Sequence, residues 1–118
     1  GWFGEPENQI EVLRKVGLAN VGIVYNMHHA HEHLDRLPKL LALMKPHLMA
    51  INLNGMKVGG PKILPIGDGD RDLEVLKAIR ASGYKGPIGI LGHREELDAE
   101  EALRLNLTGL EKVAKQVR

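Results

Sequence analysis

Cysteine is absent from the sequence, aromatic residues make up only 3% of it, and no apolar stretch approaches the roughly 20 residues that a membrane-spanning helix needs. The missing thiols exclude disulfides and thiol nucleophiles, and they fit a soluble protein in any compartment, with the cytoplasm as the default expectation. Charge of one sign is missing as well. The 16 basic and 15 acidic side chains are interspersed, so there is neither a basic block nor an aromatic platform to follow a phosphate backbone. No nucleic acid and no membrane are expected as partners. No charged-then-apolar leader precedes the first element, no low-complexity segment occurs, and no repeat is visible above the level of single βα units. What remains is a chain of 118 residues, 43% apolar, of single-domain size and able to bury a core. Its opening, Gly1-Trp2-Phe3-Gly4-Glu5-Pro6, has no initiator Met and spends the only Trp and the only Phe at once, so it reads as the middle of a domain.

The apolar pattern alternates between helix and strand. Ile10, Leu13 and Val16 recur at helical spacing after Pro6 and stop at Gly17, a residue suited to a left-handed cap. Val21 to Asn26 is a short apolar strand. A second helical stripe, Leu34, Leu37, Leu41 and Met44, tolerates Pro38 only in its first turn and ends before Pro46. Leu48 to Leu53 is the next strand, opening through Asn54-Gly55 into a glycine-rich loop that carries Lys57 and Lys62. Asp70 or Asp72 is expected to cap a third helix with the face Leu73, Leu76 and Ile79, stopped by Gly83. Ile88 to Leu91 is a third strand. The last helix starts with the capping box of Asp98 and Glu101, and its expected inward stripe is Leu103, Leu107, Leu110, Ala114 and Val117. Helical crossovers force such strands to be parallel, so the fold class is α/β. With three strands and four helices, the chain is either about half of a (β/α)₈ TIM barrel or a small open three-layer sheet.

Polar residues cluster where the strands end. Four of the six histidines, His28, His29, His31 and His33, follow the first strand at once. They suggest a metal cluster, but a solvated loop is the expectation for His31 and His33. Asn52 interrupts an apolar strand, where an unsatisfied amide would cost about 1 to 3 kcal/mol, so a polar partner is expected beside it. Alternation fixes its direction: if Ile51 and Leu53 pack on helices, Asn52 lines the opposite side near Asn26 and His29. Asn26, Asn52 and Asn54 can donate to and accept from sugar hydroxyls, or they can simply cap strand ends. Lys57 and Lys62 either meet a phosphate or are solvated. His93, after the third strand, is either an acid or base or ordinary loop polarity. Trp2 and Phe3 either stack on a sugar ring or cover the mouth of the barrel. Asp68-Gly69-Asp70-Arg71-Asp72 has the start of a calcium loop without its glycine or closing glutamate, which favours helix capping.

The phrases Val21-Gly22-Ile23-Val24-Tyr25-Asn26-Met27-His28-His29, Ala50-Ile51-Asn52-Leu53-Asn54-Gly55, and Ile66-Gly67-Asp68-Gly69-Asp70 leading to Gly83-Tyr84-Lys85-Gly86-Pro87-Ile88 resemble the C-terminal half of xylose isomerase-like TIM barrels. This superfamily holds sugar (phosphate) isomerases and epimerases. The resemblance runs over nearly the whole chain and implies one partial domain, residues 1–118, with its three strands as the sixth, seventh and eighth of the barrel. It also implies a divalent metal held by carboxylates and histidines at the strand ends, with glutamates moving a proton across a sugar carbon. Carried onto this sequence, the family's Asp-x-x-His falls on Asn26 and His29, its seventh-strand histidine on Asn52, and its eighth-strand glutamate on Leu91. An amide is a weak ligand and leucine is none, so a hard cation loses most of its binding energy here. The resemblance implies a barrel half that binds a carbohydrate or polyol; joined to the strand-end residues above, it makes His29 and His93 the catalytic candidates and puts Asn26, Asn52, Asn54, Lys57 and Trp2 on the substrate. The cofactor is either none or a weakly bound manganese, magnesium or zinc ion that His29 shares with ligands from the missing half. The expected partners are the small sugar or polyol and, to close the barrel, the N-terminal half or a second copy of the chain. The alternatives are a degenerate barrel that binds sugar without turnover and a fragment that acts by self-association.

Overall fold

The computed structural model of the chain describes residues 1–92 and 95–117. Helix α1 (Pro6–Val16) begins on Pro6, whose fixed φ suits a first helical position and whose missing N–H forfeits no bond there. It ends at Gly17, left-handed at φ 67°, whose N–H reaches the Leu13 carbonyl at 2.9 Å. Strand β1 (Ile23–Asn26) runs into a 3₁₀ turn over Met27–Ala30. Helix α2 (Leu37–Met44) carries Pro38 in its first turn and gives way to a 3₁₀ turn around Pro46. Strand β2 (Leu48–Leu53), helix α3 (Asp72–Ala81), strand β3 (Ile88–Ile90) and helix α4 (Ala99–Val117) follow. Asp98 caps α4, its Oδ1 accepting from the Glu101 N–H at 2.8 Å. Among the described residues, no helix is long and apolar enough to cross a membrane.

The three strands form one parallel sheet in the order β1-β2-β3, with Tyr25, Ile51 and Ile88 in register and Asn26, Asn52 and Gly89 in register beside them. Alternation sorts the side chains. Ile23, Tyr25, Ile51 and Leu53 turn to the helices, where they join Ile10, Leu41, Met44 and Ile79 in one core. Val24, Asn26 and Asn52 turn to the other side, which no α-helix among the described residues covers, and Val24 is exposed there. Each helix packs beside the next, α1 on α2, α2 on α3 and α3 on α4. Three parallel strands with four helices along one face make an arc of a TIM barrel.

Three local expectations are corrected. Strand β1 begins at Ile23 rather than Val21, because Gly22 runs against the backbone of His47 before pairing starts. Helix α3 is not capped by an aspartate side chain. Its cap position is Arg71, and Val75 with Ile79 forms its buried face while Leu73 and Leu76 are half-buried. Asp72 instead holds the preceding loop: its Oδ2 accepts from the N–H groups of Gly67 and Gly69, both at 2.8 Å, and its Oδ1 from that of Met56 at 3.2 Å. Asp70 does similar work for the Val58 N–H. Helix α4 turns inward a face one residue round from Leu103 and Leu107, while Leu110 of the expected stripe does pack against the core. Ala102, Asn106 and Val113 are buried, whereas Leu103 and Leu107 are 51% and 45% exposed and Ala114 is exposed. The reason is polar. Asn106 Oδ1 accepts from the Ile66 N–H at 3.0 Å and its Nδ2 donates to the Ala102 carbonyl at 2.8 Å, which pins the helix to the loop through this face. Gly109 lies so close to the Ile66 carbonyl that any Cβ would overlap it.

Candidate functional site

The candidate site residues that the fold brings together lie at the carboxyl ends of β1 and β2. Asn26 ends β1 and stands in register with Asn52 on β2, both on the uncovered side of the sheet. Asn52 Nδ2 donates to Asn26 Oδ1 at 2.8 Å, so each amide fixes the other. The next position across the sheet is Gly89, and a Cβ there would overlap Asn52 Oδ1. The missing side chain leaves that oxygen its place. Asn52 thus faces the side opposite Ile51 and Leu53, which are buried against the helices.

Past Asn26 the chain tightens into the Met27–Ala30 3₁₀ turn instead of staying extended. Met27 and Ala30 plug the core, and this turns the histidines outward. His29 lines two adjoining hollows. One, of about 310 Å³, is bounded by Asn26, Val24, Tyr25 and Phe3. The other, of about 320 Å³, is bounded by His28, His31, His33, Glu5 and Lys62. The rings of His28 and His29 lie 4.0 Å apart, centroid to centroid. His31 and His33 are half-buried and engaged rather than merely solvated. His31 Nε2 donates to the Lys57 carbonyl at 2.6 Å, and His33 Nε2 meets Glu5 Oε1 at 3.2 Å. Tyr25 lies under the first hollow. Burial, with the charges of Glu5 and Glu7 beside it and Arg36 opposing them, pushes its hydroxyl up to about 12.

The other candidates fall in different places. Asn54 is 4% exposed, and its Nδ2 donates to the carbonyls of Gly55 and Lys62, closing the glycine-rich loop on itself. Its Oδ1 is buried with no hydrogen-bond partner among the described residues. Lys57 contributes a backbone carbonyl, while the lysine that borders a hollow is Lys62. Trp2 is exposed and does not line the hollow of Asn26, whereas its neighbour Phe3 does. His93 lies outside the described residues. Sequence reasoning assigned no role to Tyr25 or Glu5. Tyr25 could have been read from strand alternation, but Glu5 reaches the histidines only through the tertiary fold.

Comparison with solved structures finds a crystal structure of the IolI protein with a binding zinc atom, at TM-score 0.69 and 20% identity. The match covers 95% of this chain and 44% of that one, so the chain spans less than half the length of this neighbour. Comparison with curated proteins gives no match. The zinc belongs to the IolI protein. Here, among the described residues, no three histidine, aspartate or glutamate side chains converge to hold a metal, and Asn26 and Asn52 are bonded to each other. These residues do not by themselves fit a divalent cation. A sequence profile describing a xylose isomerase-like TIM barrel matches residues 1–112, and the chain belongs to that family.

Proposed function

We propose that the chain is the carbohydrate- or polyol-binding half of a sugar isomerase/epimerase-like barrel, and that it holds its ligand at the strand ends through amides rather than through a metal. The observation that carries this reading is the Asn26–Asn52 pair. Once the two are joined, Asn26 still offers its Nδ2 hydrogens and Asn52 its Oδ1 and one hydrogen, an alternation of donors and acceptors that suits neighbouring hydroxyls. The small hollow beside the pair favours a small ligand. Turnover would need proton-transfer groups, and the chain's own candidates are His29, which borders the amide hollow, and His93. A divalent metal would have to draw most of its ligands from outside this chain. The test is a heteronuclear NMR titration of the chain with a panel of pentoses, hexoses and polyols, with and without chelator. Chelator-insensitive shifts at the Asn26 and Asn52 amides, lost in Asn26→Ala and Asn52→Ala, are expected. A panel that moves neither amide, or shifts that vanish with chelator, would overturn the reading.

A second reading is favoured by the uncovered side of the sheet, where Val24 is exposed, and by the outer edges of β1 and β3, which pair with no strand among the described residues. Such edges and apolar faces are normally paired or covered. The chain then works only against a partner, either further βα units or a second copy of itself. Light scattering of the isolated chain tests it: concentration-dependent association is expected, and a monodisperse monomer with a sharp melt would count against it.

A further inference from the structure

We propose that Phe3 is the platform for the apolar face of a sugar ring, so that the site selects a cyclic pyranose over an open-chain polyol; this rests on the carbohydrate reading above. Phe3 is 60% exposed and forms one wall of the hollow that holds Asn26 and His29. The Trp2–Gly4 turn that carries it buries no residue and adds nothing to the core. Even so, the turn is held firmly. Gly4 N–H bonds the Gly1 carbonyl at 3.0 Å, Asn8 Nδ2 donates to the Trp2 carbonyl at 2.6 Å, and Gln9 Nε2 donates to the Phe3 carbonyl at 2.9 Å. Two side chains of α1 thus fix the backbone of an aromatic residue that lies outside the core of this chain. A fixed, exposed aromatic beside a polar pair is a binding surface in search of a ligand that is apolar on one face and polar around its rim.

A pyranose has that shape. Its axial C–H bonds make an apolar face for the electron-rich face of a phenyl ring, while its equatorial hydroxyls point outward in the ring plane, toward amides such as Asn26. An open-chain polyol carries hydroxyls on every side and has no such face. Size agrees, since about 310 Å³ lies at the low end of the roughly 300–1,000 Å³ of small-molecule sites and suits one ring. Trp2, although equally exposed, does not line the hollow. As the only tryptophan and the neighbour of Phe3, it serves instead as a fluorescent reporter.

The full chain is titrated with methyl β-D-glucopyranoside and with D-glucitol, followed by Trp2 fluorescence and by the Asn26 and Asn52 side-chain amide resonances. The wild type is expected to prefer the glucoside. Phe3→Ala should weaken the glucoside by roughly three- to tenfold and leave glucitol unchanged, Phe3→Trp should restore the preference, and Asn26→Ala should weaken both. Phe3 is outside the core, so an unchanged melting curve of Phe3→Ala excludes misfolding as the cause. If Phe3→Ala keeps the preference, or if the wild type has none, the platform is overturned while the carbohydrate reading stands. If neither compound moves the amides, the platform is overturned, and the carbohydrate reading falls only if the wider panel of pentoses, hexoses and polyols also moves neither.

Discussion

The carboxamide of Asn52 donates to that of Asn26 at 2.8 Å, and it does so over a glycine. Gly89 holds the position in register with Asn52, where a Cβ would overlap Oδ1. The sheet therefore leaves room for one orientation of the amide by omitting a neighbour. Gly89→Ala is expected to push the Asn52 amide away from Asn26 without unfolding the strand, because the atom that must move is the end of a side chain and not backbone. Ligand binding should fall to the level of Asn52→Ala, with a change in stability of no more than about 1 kcal/mol. The side-chain amide resonances of Asn26 and Asn52 report the break; unchanged resonances in Gly89→Ala would contradict it.

Helix α4 offers a test in which two effects oppose each other. Replacing a glycine by alanine inside a helix ordinarily stabilises by about 1 kcal/mol. Gly109 is pressed against the Ile66 carbonyl, which is backbone and cannot step aside, so overpacking of about 1 to 3 kcal/mol should outweigh the propensity gain. Gly109→Ala is expected to lower the urea midpoint. Asn106→Ala should cost about 1 to 3 kcal/mol, since it leaves the buried Ile66 N–H unpaired. Leu103→Ala and Leu107→Ala, on the exposed side, should stay within about 0.5 kcal/mol. A larger loss at the leucines than at Asn106 would mean that the leucine face is the one that packs.

The loop between β2 and α3 hangs on Asp72, a buried carboxylate that accepts from three backbone N–H groups. Hydrogen bonds to a charged group are worth roughly 1.5 to 3 kcal/mol each in favourable cases, and they act together here. Asp72→Asn keeps one acceptor oxygen and turns a donor toward another donor. It should destabilise by roughly 1.5 to 3 kcal/mol, and Asp72→Ala by more. Hydrogen exchange is the sharper readout. The amides of Met56, Gly67 and Gly69 should lose protection together in both variants while those of β2 keep theirs.

These residues also mark how far the sequence could be read. The order of elements, the parallel sheet and the direction of Asn52 were legible because a strand has a period of two and Ile51 and Leu53 on either side of Asn52 are both apolar. The Gly17 cap and the Asp98 cap were legible because caps are local chemistry. The inward face of α4 was not, because Leu103 and Leu107 are larger apolar side chains than Ala102 beside them, and the choice is made by Asn106 bonding Ile66, 40 residues away. Asp72 was read as a cap because aspartate at a helix start ordinarily is one, and its three loop donors come from Met56, Gly67 and Gly69. Trp2 and Phe3 are adjacent, and only the turn that carries them decides which one faces Asn26.

Tyr25 predicts how stability responds to alkaline pH. Its hydroxyl is pushed up to about 12 from an ordinary value of 10, first by burial and then by the charges of Glu5 and Glu7. The folded state therefore keeps this proton where the unfolded chain has lost it. Stability due to the neutral hydroxyl is fully present below pH 10 and is lost as pH climbs toward 12, at up to about 1.4 kcal/mol per pH unit. Tyr84 is raised as well, by desolvation, so the wild-type slope contains both. Tyr25→Phe isolates the Tyr25 share: its urea midpoint should fall less steeply than the wild type's above pH 10, and the difference between the two proteins should be flat from pH 7 to 9. Parallel curves above pH 10 would mean that Tyr25 ionises equally well in the fold, and that the hollow above it is wetter than the burial of Tyr25 implies.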